Sequence, residues 1–327
     1  MEITNVNLGW RRYSPWLGNE YDPAMGITYL DFQRYLIQTS RGVESVQSML
    51  SMFELALLYG VCRHYYAGRG AIIDAGPLLG AGTYAMAHGL VDNHSVADKR
   101  KRIYSFDLWM ADGMGNYVEG WGQETGSVFE RWRRITSDYQ DQINASPGDL
   151  SKMRWRGGPV EVLFIDLAKT EALNAWVLRN WFVQLFVGSV VIQQDYAHFG
   201  EPWIAVTMEY FREHFELIEF VYGSSAVYRC VEPITKDRVE SFLNLGLTDY
   251  NSLMLSAIEG APPSVAQVLY SAMAWLKRDT PLDALRILNE VRPVGNPDKV
   301  QDFSEIAAGN VIMVRDLLSH QVTGHLG

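Results

Sequence analysis

A glycine-rich turn follows the first strongly apolar run of the chain, at 70–76. Asp74 lies near the end of this run and Gly76 closes it. Gly80 and Gly82 come next, before a helical stretch. Glycine is favoured where a backbone turns tightly or approaches a ligand, so this pattern predicts a nucleotide-type pocket at a strand end, with a structural turn as the alternative. The spacing matches neither the Gly-x-Gly-x-x-Gly of dinucleotide sites nor a phosphate-binding P-loop.

Polar residues able to transfer protons or bind cations follow two later apolar runs. Asp166 ends one run, and Lys169 follows three residues later. Gln194 and Asp195 end the next run, and His198, a candidate base at neutral pH, lies just beyond. Because the carboxyl ends of parallel strands open onto one crevice, we expect these side chains to share a reaction site. The alternatives are turn chemistry for the aspartates, a surface position for the lysine and a structural role for the histidine.

Short β-branched or aromatic runs alternate with helical stretches through the middle of the chain. The predicted strands are 70–76, 102–109, 140–146, 160–166 and 189–195. Strands that alternate with helices pair in parallel and are covered by helices on both faces. Two further runs, 215–223 and 225–232, are separated by a turn too short for a helix and predict an antiparallel hairpin. We therefore predict an α/β fold with a mostly parallel sheet of seven strands.

This strand plan and the D-x-G-x-x-x-G run resemble the class I S-adenosylmethionine-dependent methyltransferases, over roughly residues 45 to 232. The resemblance implies a Rossmann-like sheet with a C-terminal antiparallel hairpin. It also implies S-adenosylmethionine as the cofactor, with Asp74, Gly76, Gly80 and Gly82 in its site.

Two further acidic residues match that family by position. In the family, an acidic residue at the end of the second strand accepts hydrogen bonds from the ribose hydroxyls, and Asp107 occupies this position. A polar residue after the third strand commonly meets the adenine amino group, and Asp149 falls there. The resemblance therefore implies that both bind the cofactor, with helix or turn capping as the alternative.

The ends of the fourth and fifth predicted strands look like those of the catechol-type and macrolide-sugar-type metal-dependent O-methyltransferases. This resemblance implies Asp166 and Asp195 as Mg²⁺ ligands. It implies Lys169 as the general base, with a pKa lowered by burial and by a nearby cation. Gln194 departs from the pattern, because the catechol-type enzymes have an aspartate there. Metal dependence therefore stays open, with Asp166, Gln194 and Asp195 as candidate ligands.

Helical patterns flank the predicted strands. Apolar residues recur at helical spacing from Tyr29 to Tyr66, and the chain beyond Pro233 shows helical patterns only. We predict three parts: a helical lead-in at 1–67, an S-adenosylmethionine-binding domain at 68–232 and a C-terminal helical extension at 233–327. The extension either caps the sheet or forms a homodimer. A lid over the pocket is hypothesised for the aromatic residues Trp10, Tyr13, Trp16 and Tyr21.

Composition narrows the class of protein. With 28 basic and 38 acidic residues the net charge is −10, which opposes non-specific attraction to nucleic acid or anionic lipid. No signal peptide or continuous apolar span is evident. Cys62 and Cys230 are far apart and are expected to be buried, reduced thiols. We expect a cytoplasmic protein whose partner is a small molecule rather than a nucleic acid or a membrane.

Three hypotheses of function follow. The first is an O-methyltransferase acting on a small hydroxylated acceptor such as a sugar or a natural product. The second is a protein that keeps the fold and the cofactor but has lost catalysis. The third is an assembly module in which the C-terminal helices matter most. The identity of the acceptor, and nitrogen or carbon methylation as alternatives to oxygen, stay open.

Overall fold

The computed structural model describes residues 48–109, 128–221, 224–290 and 311–320. The proposed lid at 10–21 and the helical pattern before residue 48 lie outside these residues. Within them, the N-terminal helix begins at Met52 because Ser51 and Glu54 form a capping box. The Ser51 hydroxyl accepts from the Glu54 backbone N–H at 3.2 Å, and the Glu54 carboxylate accepts from the Ser51 backbone N–H at 2.8 Å.

The described residues contain one sheet of seven strands. These are β1 (Ala71–Ala75), β2 (Ile103–Asp107), β3 (Ile143–Pro147), β4 (Val160–Ile165), β5 (Leu185–Gln193), β6 (Phe215–Val221) and β7 (Ser225–Cys230). Their order is β3-β2-β1-β4-β5-β7-β6, with parallel pairing from β3 to β5 and antiparallel pairing of β7 with both neighbours. The predicted mostly parallel sheet with a C-terminal hairpin is confirmed.

Two strands begin three or more residues from the predicted position. The third strand begins at Ile143 rather than at 140, because the Gln142 N–H donates to the Tyr139 carbonyl in a turn. The fifth strand begins at Leu185, four residues earlier than predicted. Gly188, with φ +93°, lies inside it, and the pairing with β4 shifts register nearby. The glycine therefore interrupts the apolar run, so the first half of this strand was not predicted from the apolar pattern.

Helices cover both faces of the sheet. They are α1 (Met52–Gly60), α2 (Ala81–Asp92), α3 (Val128–Ile135), α4 (Glu171–Asn180), α5 (Pro202–Tyr210), α6 (Lys236–Leu243), α7 (Leu247–Gly260), α8 (Pro263–Leu276), α9 (Pro281–Glu290) and α10 (311–320). Successive residues of a strand face opposite sides, so Ile72 belongs to the apolar cluster that includes residues of α1 to α3 and Ile73 to the cluster that includes residues of α4 to α8. Both faces of the central strands are therefore buried.

The C-terminal helices extend the apolar core to which Ile73 belongs. Helices α7 and α8 pack against α5, and a smaller apolar cluster joins Phe199 to Leu288 of α9 and to Val314 and Leu318 of α10. Cys62 and Cys230 are both free and buried, as predicted. Among the described helices, none is both long enough and apolar enough to cross a membrane.

Candidate active site

One cleft of about 730 Å³ opens at the carboxyl ends of β1 to β5. This volume lies in the range of small-molecule sites. Ten of the eleven sequence-predicted site residues line it, namely Gly76, Gly80, Gly82, Asp107, Asp149, Asp166, Lys169, Gln194, Asp195 and His198. We call the ends of β1 to β3 the cofactor half and the ends of β4 and β5 the reaction half.

Asp74, the eleventh residue, lies beneath the glycine turn and not among the residues that line the cleft. Its Oδ2 accepts from the Thr83 hydroxyl at 2.5 Å and from the Ser105 hydroxyl at 3.1 Å. The Trp132 indole N–H also donates to the Thr83 hydroxyl, at 2.9 Å. Burial raises the pKa of Asp74 to about 7. Asp74 therefore supports the first turn of α2 from below and does not itself line the cleft.

Two glycines of the turn have backbone conformations that favour glycine. Gly76 and Gly80 have φ of +93° and +101°. A Cβ at Gly76 would lie 2.5 Å from the Asp166 carbonyl oxygen, and one at Gly80 would lie 2.9 Å from Trp132. Gly82 has only ordinary contacts at 3.4 Å, the nearest including Phe164. The first two glycines are thus required by the fold of the turn itself.

Asp107 joins the glycine turn to the end of β2. Its Oδ2 accepts from the Leu78 N–H at 3.0 Å, and its Oδ1 accepts from the Trp109 N–H at 2.8 Å. Burial raises its pKa above the usual range. A carboxylate has about four acceptor positions, so each oxygen keeps capacity for a hydroxyl donor in the cleft.

Asp149 caps a single 3₁₀ turn at Leu150–Lys152. Its Oδ1 accepts from the Ser151 N–H at 3.0 Å and from the Ser151 hydroxyl at 2.7 Å. The Lys152 ammonium lies 3.2 Å from its other oxygen. The Ser151 and Lys152 bonds lower the pKa of Asp149. Asp149 therefore caps this turn, which was the alternative interpretation, and it lies at the edge of the cleft.

In the reaction half, a lysine ammonium lies among the three predicted metal ligands. Lys169 Nζ is 2.8 Å from Asp166 Oδ1 and 3.5 Å from Gln194 Oε1, and it pairs closely with Asp195 Oδ2. The pKa of Lys169 is lowered by burial but raised by both carboxylates, and the net direction is upward. This direction is opposite to the predicted lowering, which assumed a bound cation nearby. Lys169 is a paired ammonium at neutral pH, which does not suit a general base.

The same geometry tests the fit of a magnesium ion. Mg²⁺ prefers six oxygen ligands at about 2.0 to 2.1 Å. Here the Lys169 ammonium is within hydrogen-bonding distance of all three candidate ligands. In the part of the chain that the structure describes, no three His, Cys, Asp or Glu side chains are grouped to hold a metal ion. Asp166, Gln194 and Asp195 thus do not fit Mg²⁺ while Lys169 is in place.

His198 forms a dyad with Glu201, a residue for which no role was predicted. The Nδ1 of His198 pairs with Glu201 Oε2, and both residues line the cleft. Burial lowers the pKa of His198, but the hydrogen bond and charge of Glu201 together with the charge of Asp195 raise it, and the net direction is upward. The remaining ring nitrogen, Nε2, is the atom able to exchange a proton with an acceptor. An i, i+3 His and Glu pair beside a strand end was the signal available in the sequence.

Glu54 is a second functional candidate missed from the sequence. It lines the cleft and is 1% exposed. Beyond the cap of α1, its Oε1 accepts from the Ser225 hydroxyl at 2.6 Å and the Ser224 N–H at 3.2 Å. The Ser224 hydroxyl in turn accepts from the Gln194 side-chain amide at 3.0 Å. Because Glu54 and Ser225 are 171 residues apart, no local pattern indicates this contact.

Two aromatic residues that follow the fifth strand pack behind the cleft. Tyr196 is 6% exposed and contacts the rings of Phe220 and Tyr228 in the core. Trp203 donates its indole N–H to the Ala168 carbonyl at 2.7 Å and does not line the cleft. Both side chains therefore stabilise the wall behind the cleft.

The charge of the cleft is predominantly negative. Among the described residues, its acidic members are Glu54, Asp107, Asp149, Asp166, Asp195 and Glu201, and its basic members are Lys169 and His198. An acidic cleft attracts cationic ligands and disfavours anionic ones.

The chain matches no protein-family model and no curated protein sequence. Among solved structures it is similar to the O-methyltransferase NovP, with 17% identity and a TM-score of 0.44, over 57% of this chain and 82% of that one. It is also similar to CalS11, described as a TDP-rhamnose 3'-O-methyltransferase in calicheamicin biosynthesis. That likeness has 16% identity and a TM-score of 0.41, over 54% of this chain and 79% of that one.

The sheet order and the antiparallel hairpin decide the fold. The chain has the class I methyltransferase fold. A fold hosts more than one activity, so the activity is argued from the residues of the cleft.

Proposed function

We propose that this protein binds S-adenosylmethionine and transfers its methyl group to a hydroxyl of a small acceptor, such as a sugar or a natural product. The observation that carries the proposal is the composition of one cleft. The glycine turn and Asp107 line the cofactor half, and the His198–Glu201 dyad lines the same cavity beyond the reaction half. Methyl transfer to oxygen needs both a cofactor site and a proton acceptor in one cavity.

The cofactor half suits the proposed ligand in shape and charge. Gly76 and Gly80 form a tight turn at the start of α2, and Asp107 offers acceptor capacity for ribose hydroxyls. S-adenosylmethionine carries a sulfonium and an ammonium against one carboxylate, so it is a net cation. The acidic lining favours such a ligand.

When bound, S-adenosylmethionine supplies a methyl group activated by its positively charged sulfur. The residues of this chain would then manage the proton of the acceptor. His198 Nε2 would accept the hydroxyl proton as the oxygen takes the methyl group. Glu201, paired to Nδ1, would hold the ring in orientation and stabilise the imidazolium that forms.

Calorimetric titration with S-adenosylhomocysteine tests the cofactor assignment. We expect micromolar binding, about −8 kcal/mol. Asp107→Ala should weaken it at least tenfold, because lost hydrogen bonds to buried partners are worth about 1 to 3 kcal/mol. Asp138→Ala, which changes an exposed aspartate outside the cleft, is the matched control. An absence of binding at millimolar ligand would contradict the proposal.

A second candidate, cofactor binding without catalysis, is favoured by one observation. The Lys169 side chain, expected to act as the base, is committed to Asp166, Asp195 and Gln194. A screen of hydroxylated acceptors for release of S-adenosylhomocysteine separates the two candidates. Release that requires His198 supports the enzyme, whereas binding without release over the whole screen supports the non-catalytic role.

A further inference from the structure

We propose that the Lys169 ammonium takes the place of a divalent cation in the reaction half, so that this cleft works without metal. The proposal starts from a convergence of oxygens on one nitrogen. Oxygens of Asp166, Asp195 and Gln194 all lie within hydrogen-bonding distance of Lys169 Nζ. These are the residues that would otherwise be the ligands of a hard cation.

The donor count of the lysine matches this arrangement. An ammonium has three N–H donors and no acceptor, and here three acceptors surround it. With all three donors engaged, Lys169 has no N–H left over for a substrate. Its role is therefore that of a fixed positive charge held between two strand ends.

The Gln194 side chain and the backbones of Asp166 and Asp195 are held by bonds that do not involve Lys169. The Gln194 amide nitrogen donates to the Ser224 hydroxyl at 3.0 Å, which turns its oxygen toward Lys169. The Asp195 N–H also donates to Ser224, at 3.3 Å, and Asp195 has a φ of +61°. The Asp166 N–H donates to the Ala75 carbonyl at 2.7 Å. The three-oxygen group should thus persist when the ammonium is removed.

Charge then explains why a metal ion and Lys169 exclude each other. With lysine present, two carboxylates face one ammonium at close range. A divalent cation brought into the same space would be repelled by the ammonium. Without the ammonium, two negative charges and an amide oxygen would face a space of suitable chemistry for Mn²⁺ or Mg²⁺.

Titration with Mn²⁺ alone, followed by electron paramagnetic resonance, tests this directly. Lys169→Ala should bind Mn²⁺ at least tenfold more tightly than the wild type, and Lys169→Ala with Asp166→Asn should lose that gain. Lys152→Ala removes an exposed lysine paired with Asp149 at the cleft edge and should behave as the wild type does. Equal Mn²⁺ affinity in the wild type and Lys169→Ala would overturn the proposal.

The wild-type protein provides a second measurement, which does not require Lys169 to be replaced. Its Mn²⁺ binding should be unchanged by Asp166→Asn, and its affinity for S-adenosylhomocysteine should be the same in EDTA as in millimolar Mg²⁺. Mn²⁺ binding by the wild type that Asp166→Asn abolishes would overturn the proposal. As a statement about methyl transfer the inference rests on the proposed function. Failure of that function would appear separately, as no binding of S-adenosylhomocysteine, which the Mn²⁺ titrations do not use.

Discussion

The cofactor half of the cleft is built from backbone geometry, whereas the reaction half is built from side chains that meet across long sequence distances. In the cofactor half, Gly76 and Gly80 have positive φ, and Asp107 accepts from two backbone N–H groups. In the reaction half, Lys169 joins Asp166 to Asp195, which lies 26 residues beyond the lysine. The first half is therefore sensitive to backbone substitutions and the second to changes of charge.

The largest effect is expected from Gly76→Ala in the cofactor half. The new Cβ would lie 2.5 Å from the Asp166 carbonyl oxygen, at a φ of +93°. The left-handed conformation alone costs about 1 to 2 kcal/mol, and the clash adds to it, so we expect a loss of more than about 3 kcal/mol in the free energy of unfolding. Urea titration measures this, with Gly260→Ala as control.

A Cβ added at Gly260 would have no other atom within 4 Å, so this substitution should change stability by less than about 1 kcal/mol. A Gly76→Ala protein as stable as Gly260→Ala would mean that the turn tolerates a side chain. The backbone account of the cofactor half would then be wrong.

The next largest effect is expected just beyond the reaction half, at the His198–Glu201 dyad. His198→Ala should lower turnover by about 10²- to 10⁴-fold if His198 is the general base, and should leave S-adenosylhomocysteine affinity within a few-fold. Release of S-adenosylhomocysteine with an acceptor identified by screening measures turnover. Unchanged turnover would exclude His198 as the base.

Glu201→Gln tests the role of the His198–Glu201 dyad through the pH dependence of turnover. A base must be deprotonated, so turnover rises as pH passes through the pKa of His198. Glu201 raises this pKa, so its neutralisation should move the rising limb of the pH–rate profile to lower pH. An unmoved limb would mean that the dyad does not set the protonation of the base.

The sequence predicted the two halves unequally, for physical reasons. The apolar run at 160–166 predicted a central strand, found at Val160–Ile165, because a strand buried on both faces is apolar throughout. The same burial on both faces kept the sequence from predicting toward which side the Asp74 side chain points. Every residue of β1 is buried, so no alternation indicated that Asp74 faces α2 rather than the cleft.

Contacts of charged side chains between segments far apart in the sequence could not be predicted from local sequence patterns. The glycine turn spans only a few residues, so its spacing can be recognised in the sequence. The Lys169 contact with Asp195 and the Glu54 contact with Ser225 form only when strands and helices meet. The identities of the candidate residues were predictable, but whether Lys169 is a free base or a paired ammonium depends on those distances.

The smallest of these effects is expected beneath the glycine turn, at Asp74. Its folded pKa of about 7 lies above the ordinary value of 3.8, so the folded state holds its proton more tightly than the unfolded state. The stability that this proton contributes is complete below about pH 4 and is lost as pH rises through 7. Asp74→Asn removes this pH dependence, because an amide does not titrate.

The decisive quantity is how the difference in the free energy of unfolding between Asp74→Asn and the wild type changes with pH. A difference at a single pH is not decisive, because the amide also adds a pH-independent cost beside Thr83. The free energy of unfolding of Asp74→Asn relative to the wild type should become more favourable by about 1 to 3 kcal/mol between pH 5 and pH 8. Urea titrations at these two pH values measure it, with Asp138→Asn as the exposed control. A difference independent of pH would show that Asp74 is ionised throughout. In that case Thr83 and Ser105 would be stabilising a buried carboxylate, and the turn would be held by charge as the reaction half is.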